Sequence, residues 1–342
     1  MASRRIAPVT QREVAARAGV SPRTVSNVVN DFPYVSEETR VKVRKALAEL
    51  GYAPNLVARN LRNGRTGMIA LVLPLDVPYF ADLTEFVIDE ARAHSYVVLI
   101  DKTDGDPERE REFLMRGERS ALFDGVIFSP SGVEMSDLSE RSSTSPVVLL
   151  GQRIRDGSFD HVVIDNVAAA ATATRHLIDL RRSRIAFIGA GQDREGDIPS
   201  DRAAGYRAAL REAGQPVRRQ LEICAPGFRR DAGAQSMARL LDLLEPPDAV
   251  FCYNDPLALG AMRTVLNRGL RVPEDVAIVG FDDSEDGRFT TPTLTTISQD
   301  KRQIARYAVD LLVSRLGGDT SPPVTRNADW RLVARESTLG RS

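Results

Sequence analysis

From residue 68 onward the chain repeats one texture, a short run of apolar residues followed by a stretch with helical periodicity. The runs are MIALVLPL, VVLI at 97–100, GVIFSP, VVLL at 147–150, VVID at 162–165, RIAFIG, AVFCYN and VAIVGFDD. Between them, apolar residues recur at spacings of three and four, as in Leu83, Phe86, Val87 and Ala91, or Leu257, Ala258, Ala261, Met262 and Val265. Continuous apolar strands separated by helices build parallel sheets covered on both faces. About 270 residues of this kind divide better into two lobes than into one. The expected fold class for this region is an α/β core of two doubly wound parallel-sheet lobes.

Ligands of such folds bind outside the carboxyl ends of the strands, so the polar residues after each run are the candidates. AVFCY is followed by Asn254 and Asp255, VAIVGF by Asp282 and Asp283, and LTTI shortly by Gln299 and Asp300. The stretch after RIAFIGAG reaches Arg202. Amides, carboxylates and a guanidinium converging on a cleft bind the hydroxyls of a small polar molecule through paired hydrogen bonds. Tyr79, Phe80 and Phe228 offer aromatic faces to an apolar side of the ligand.

The head of the chain differs. In VTQREVAARAGVSPRTVSNVVN, at 9–30, Val14, Ala15 and Ala18 share one helical stripe and Gly19 ends it with the positive φ that a tight turn needs. Ser21 is the next N-cap and Pro22 suits the first helical position. Val25, Val28 and Val29 form the buried side of this second helix, leaving Pro22, Arg23, Ser26, Asn27 and Asn30 outward. Two short helices in this arrangement are the layout of a DNA-binding helix-turn-helix. A third helix after Ser36 runs to Leu50 with Val43, Ala46, Leu47 and Leu50 inward, and Gly51 stops it. In YAPNLVARNLRNGRTG, Pro54 opens one or two helical turns from Asn55 to Arg62, too short to hold without DNA and a second copy.

Charge separates the same regions. Through residue 66 there are 12 Lys or Arg against 5 Asp or Glu, a net +7; with the whole chain at −1, the rest carries −8. A basic head gains affinity for DNA by releasing phosphate counterions. No apolar run reaches the roughly 20 residues of a membrane span, and MASRRIAPVT is not a secretory signal, so the expected location is cytoplasmic, without membrane contact. Cys224 and Cys252 lack metal spacing, and His94, His161 and His176 are scattered, so neither a metal nor a cofactor is expected. GAG at 189–191 follows a strand, but Arg194 occupies the third glycine position of a dinucleotide loop, and no phosphate loop or nucleophile elbow is present. The expectation is a protein that is not an enzyme.

Six motifs in order carry a wider likeness: VTQREVAARAGVSPRTVSNVVN, VSEETRVKVRKALAELGYAPNLVARNLRNGRTG, RAAGYRAAL, YNDPLALGAMR, VAIVGFDDSE with LTTISQD, and ARESTL. Through them the chain resembles the LacI/GalR transcriptional regulators over nearly its whole length. The resemblance implies an all-α helix-turn-helix head at 8–53, a hinge helix and linker at 54–66, and a periplasmic-binding-protein-like core at 67–342. Lobe one would be 67–165 with 298–327, and lobe two 166–297 with 328–342. It implies a homodimer on a near-palindromic double-stranded operator; the chain ends soon after ARESTL, without a heptad-bearing helix for tetramers.

By position, Pro22, Arg23 and Asn27 match base-reading residues and Thr10, Thr24, Ser26 and Asn30 match backbone contacts. Asn55, Ala58 and Leu61 match the hinge helix, with Leu61 as the leucine that wedges into the minor groove. Arg202, Asn254, Asp282 and Gln299 match effector contacts, joined by Asp255 and Tyr79, while Phe80 and Phe228 match pocket walls. Asn27 stands where many relatives have Arg. Val77 and Gly151 replace common polar residues, which predicts a first-lobe half of the pocket drier than usual for the family. The implied function is a repressor switched by a small effector, a sugar before a purine-like corepressor, with a solute-binding protein lacking a regulatory role as the remaining alternative.

Overall fold

The structure, a computed structural model, describes residues 9–29, 32–52, 65–115, 122–141, 144–151, 157–189 and 198–340. The chain divides into two compact units, 1–65 and 66–342.

The first unit is built on α1 (Gln11–Ala18), α2 (Pro22–Val29) and α3 (Glu37–Leu50). Thr10 caps α1 in a reciprocal box, its hydroxyl accepting from the Glu13 amide while the Glu13 carboxylate accepts from the Thr10 N–H. Gly19 closes α1 at φ 67°, and the Ser21 hydroxyl accepts from the Thr24 amide at 3.1 Å to start α2. Val14, Val25 and Val43 are fully buried, with Ala15, Val28 and Ala46 beside them, while Val29, Leu47 and Leu50 pack partly buried around this core.

The second unit holds two six-stranded sheets. The first contains β1 (Met68–Leu73), β2 (Val97–Lys102), β3 (Gly125–Phe128), β4 (Val147–Leu150), β5 (Asp160–Val163) and β11 (Thr325–Asn327), in the spatial order β11-β5-β4-β3-β1-β2. The second contains β6 (Ile185–Ile188), β7 (Glu222–Ile223), β8 (Ala249–Cys252), β9 (Ala277–Phe281), β10 (Thr295–Gln299) and β12 (Trp330–Val333), in the order β12-β10-β9-β8-β6-β7. All pairings are parallel except β10 with β12. Helices cover the sheets, among them α4 (Pro78–Ala93), α5 (Pro107–Met115) and α6 (Met135–Ser139) on the first. The second carries α7 (Asn166–Asp179), α8 (Ile198–Glu212), α9 (Arg230–Leu241) and α10 (Asp255–Asn267). The short α11 (Asp286–Phe289) precedes β10, and α13 (Glu336–Leu339) follows β12.

The chain passes between the sheets three times, after β5, after β10 and after β11. The middle passage leads into α12 (Lys301–Leu316), which packs on α4 and on β3, β4 and β5. Ser298 and Gln299 belong to β10 in the second sheet, so the passage to the first lobe begins after them and not at 298. Every apolar run named above forms its strand, with one difference in surroundings. VVLI in β2 is an edge strand, and Val97, Leu99 and Ile100 are 56%, 37% and 47% exposed, because β2 has a sheet neighbour, β1, on one side only. Among the described residues no helix is long and apolar enough to cross a membrane.

No atom lies within 4 Å of a Cβ built on Gly19, so its φ of 67° is the only reason for glycine there. Gly19→Ala is expected to destabilise the head by about 1–2 kcal/mol. Amide exchange at Val14 and Val25 would then be roughly 5 to 30 times faster; unchanged exchange would show that the turn tolerates a side chain.

Candidate functional site

On the head, α2 exposes Pro22 and Arg23 to solvent, with Thr24, Ser26 and Asn27 half-buried beside them. The Thr24 hydroxyl is hydrogen-bonded to the Ser21 hydroxyl at 2.9 Å, and the Thr10 hydroxyl donates to the Glu13 carboxylate at 2.8 Å. Both threonines therefore shape helix starts. Asn30, Asn55, Ala58 and Leu61 lie outside the described residues. Sequence reading passed over Phe32 and Tyr34, an exposed edge-to-face pair with ring centroids 5.6 Å apart just after α2. Two aromatics in a short polar connection were the available signal.

In the second unit, the strand ends of both sheets enclose a cavity of about 350 Å³. Tyr79, Phe80, Arg202, Phe228, Asn254, Asp282 and Gln299 all line it. Arg202, 5% exposed, donates from Nε to Asn166 Oδ1 at 2.9 Å and from Nη1 to the Tyr253 carbonyl, with Nη2 3.8 Å from Asp282. Its guanidinium carbon lies 3.4 Å from the Phe281 ring centroid and 4.4 Å from that of Tyr253, so aromatic faces hold it as well. Asp282 accepts from Gln299 Nε2 at 2.7 Å. Burial pushes the Asp282 carboxyl up to about 6, against the pull of Arg202 and Lys301. The result is one carboxylate, one guanidinium and one amide aimed at the same space.

Asn254 is more committed than its position promised. As the N-cap of α10 its Oδ1 accepts from the Leu257 amide, and its Nδ2 donates to the Phe228 carbonyl, both at 3.0 Å. It thereby fixes Phe228, whose ring meets Tyr253 at 4.7 Å between centroids. Tyr79 and Phe80 form an edge-to-face pair, centroids 5.2 Å apart, on the opposite wall.

One expectation fails. Asp255 does not line the cavity: it is fully buried and turned toward β9 and β10, accepting from Thr296 and Ser284. On the first-lobe wall Val77 and Gly151 are joined by Asp76, Asp104, Ser129 and Ser131, which reach the cavity from the ends of β1, β2 and β3. Asn166 and Tyr253 were also missed, although both follow strands already named, VVID and AVFC. Lys301, 8% exposed, donates to Asp82 at 2.6 Å on the outer side of the same wall. A second groove of about 510 Å³ opens there, and two ion pairs cross its lining, Asp82 with Lys301 and Asp283 with Arg288.

Known proteins share this arrangement. Residues 10–55 match bacterial regulatory proteins of the lacI family, and residues 174–338 match the periplasmic binding protein-like domain. Over 332 residues the chain is 34% identical to the HTH-type transcriptional repressor CytR of Escherichia coli (strain K12), spanning 96% of each protein. A solved complex of the transcriptional regulator CelR with cellobiose is similar at 32% identity and a TM-score of 0.71, covering 96% of this chain and 99% of that one. The lac repressor dimer bound to operator and the anti-inducer ONPF aligns with a TM-score of 0.82 at 27% identity, covering 97% and 99%.

The Asp282 environment has a pH signature. Its folded-state pKa of about 6 lies above the ordinary 3.8, so ionisation opposes folding, and the cost disappears as pH falls from 6 toward 4. Asp282→Asn should therefore raise the Tm relative to wild type at pH 8, with the gain shrinking toward pH 5. Calorimetry at both values tests this, and a gain that grows on acidification would contradict it.

Proposed function

Because the chain belongs to the lacI family of bacterial regulatory proteins, and is thus a DNA-binding transcriptional repressor with a ligand-binding core and not an enzyme, we propose that a sugar held between its lobes switches its operator affinity. The observation that carries this reading is the cavity, where Asp282, Gln299 and Arg202 converge opposite the Phe228 and Tyr253 rings. Carboxylate and amide groups receive and supply hydroxyl hydrogen bonds, while an aromatic face covers the C–H side of a pyranose. Asp76, Asp104 and Ser131 extend the same chemistry to the first lobe, so a ligand bridging both walls favours one lobe arrangement. The CelR relative, bound to cellobiose, supports the choice of a sugar. A purine-like corepressor is the second reading, favoured by ring faces from both lobes, Phe80 and Phe228.

The coupling to DNA is a linkage between two states. A ligand that prefers one arrangement of the lobes shifts the dimer toward or away from the form in which both heads grip the operator. In this reading Arg23 pairs with guanine, Asn27 with adenine, and Pro22 packs on the base edges of a near-palindromic site. Thr10, Thr24, Ser26 and Asn30 would meet the backbone, and Asn55, Ala58 and Leu61 the minor groove. Such a repressor works in the cytoplasm, where its operator is.

Thermal shift with glucose, maltose, cellobiose, ribose, cytidine, adenosine and hypoxanthine tests the ligand class, with positive compounds added to an operator titration. A sugar is expected to raise the melting temperature of wild type but not of Arg202→Ala, and to change operator affinity roughly 5 to 150-fold. A compound that stabilises the core and leaves operator affinity unchanged would overturn the switch, and hypoxanthine alone would favour the purine reading.

Members of this family act as dimers, and the exposed apolar edge strand β2 is the surface we assign to that contact. Val97, Leu99 and Ile100 leave apolar side chains uncovered along this edge, beside backbone groups with no strand partner on that side. Ile100→Lys should weaken dimerisation about tenfold or more, near 1.4 kcal/mol, by sedimentation equilibrium, with operator affinity falling in step. A variant as dimeric as wild type would exclude this face.

A further inference from the structure

We infer that Asp255 is a positioning residue of the effector site, holding the turn that aims Asp282 into the cavity without itself meeting the ligand. The inference rests on the effector reading of that cavity and assigns a role to a residue outside it.

The turn after β9 runs through backbone that L-residues seldom adopt. Asp282 has φ 106° and Asp283 φ 49°, both in the left-handed region and neither a glycine. Conformations of this kind persist where the surroundings over-determine them, and here each amide of the turn has a fixed acceptor. The Asp282 N–H donates to the Ile297 carbonyl at 2.8 Å. The Asp283 N–H donates to the Thr296 hydroxyl at 3.4 Å, and that hydroxyl donates onward to Asp255 Oδ1 at 2.6 Å. The Ser284 N–H donates directly to Asp255 Oδ2 at 2.6 Å. Two of the three amides therefore end on the one carboxylate, Asp283 by relay and Ser284 directly.

Space and sequence around Asp255 fit this role. Any side chain on Gly280 would collide with Asp255 Oδ1, so the strand that leads into the turn leaves a slot for the carboxylate. Asp255 is the first residue of α10, one position after the cap Asn254, which faces the cavity and fixes Phe228. Adjacent residues thus serve the two sides of one wall. Asp255 is fully buried and its partners are a hydroxyl and an amide, with no cation among them. Burial, with the nearby Asp282, pushes this carboxyl up to about 7, and a buried carboxyl held only by dipoles depends on their geometry as they depend on it. The titratable groups facing it are Asp282 and the Cys252 thiol, and those facing Asp282 are Arg202, Lys301 and Asp82.

The test compares Asp255→Asn, Asp255→Ala and Thr296→Val with wild type in full-length protein, using the sugar or nucleoside from the thermal-shift panel that stabilises wild type most. Asparagine can accept from the Ser284 amide and donate to the Thr296 hydroxyl, so Asp255→Asn is expected to keep affinity within about threefold. Asp255→Ala is expected to lose tenfold or more, with operator affinity in the absence of that compound unchanged within twofold. Should the alanine variant fail to fold, Thr296→Val, which keeps the shape and cuts the relay, is expected to lose at least threefold. Rescue separates positioning from plain support: Asp255→Asn, which keeps both hydrogen-bonding functions, should hold the affinity that Asp255→Ala loses. Wild-type affinity in Asp255→Ala or Thr296→Val, or a loss in Asp255→Asn as large as in Asp255→Ala, would overturn the assignment. If no panel compound stabilises wild type, the effector reading itself fails, a result distinct from loss in the variants alone.

Discussion

A guanidinium that is 5% exposed must be satisfied on every side, and the core of this protein is arranged around that demand. Arg202 enters from α8 in the second lobe and meets Asn166 at the start of α7, the Tyr253 carbonyl at the end of β8, and Asp282 at the end of β9, with the Phe281 and Tyr253 rings over its faces. Each partner lies at the carboxyl end of a strand or just beyond it. Parallel sheets deliver all such ends to one side, so a single buried cation can collect groups separated by more than a hundred residues in sequence. An uncompensated charge there would cost several kcal/mol, which makes the site as much a structural joint as a binding surface.

The same joint explains why two sheets serve one ligand. The chain crosses between them after β5, β10 and β11, and the first two crossings begin right beside cavity residues, Asn166 after β5 and Gln299 at the end of β10. In the proposed reading, a ligand held by Asp282 and Gln299 on one side and by Asp76 or Ser131 on the other would act across these passages. The head needs none of this: its three helices close on Val14, Val25 and Val43, a core complete within the first unit. Effector-regulated repression therefore links two parts with cores of their own, one that binds DNA and one that binds the ligand.

Much of both parts was legible in the residues. Gly19, Ser21 and Pro22 punctuate the head because positive φ, capping and a missing N–H are local properties. The apolar runs became strands because a buried parallel strand has to be apolar on both faces. Arg202, Asp282 and Gln299 were found by their place after strands. Asp255 was misjudged for a geometric reason: successive residues at a helix start point about 100° apart, so Asn254 faces the cavity and Asp255 the sheet. On the first-lobe wall Asp104 and Ser131 were passed over, because the segments after β2 and β3 meet Val77 only in space.

Sequence alone determined the element types, the capped turn of the head, and the division into a basic DNA-binding part and an acidic α/β part, because these follow from periodicity, backbone preference and charge. Tertiary structure decided which strand became an edge, leaving Val97, Leu99 and Ile100 uncovered, and which polar side chains face the cavity rather than the framework behind it. Strand order and the direction of a helix's first turn depend on contacts between distant segments. No local pattern carries them.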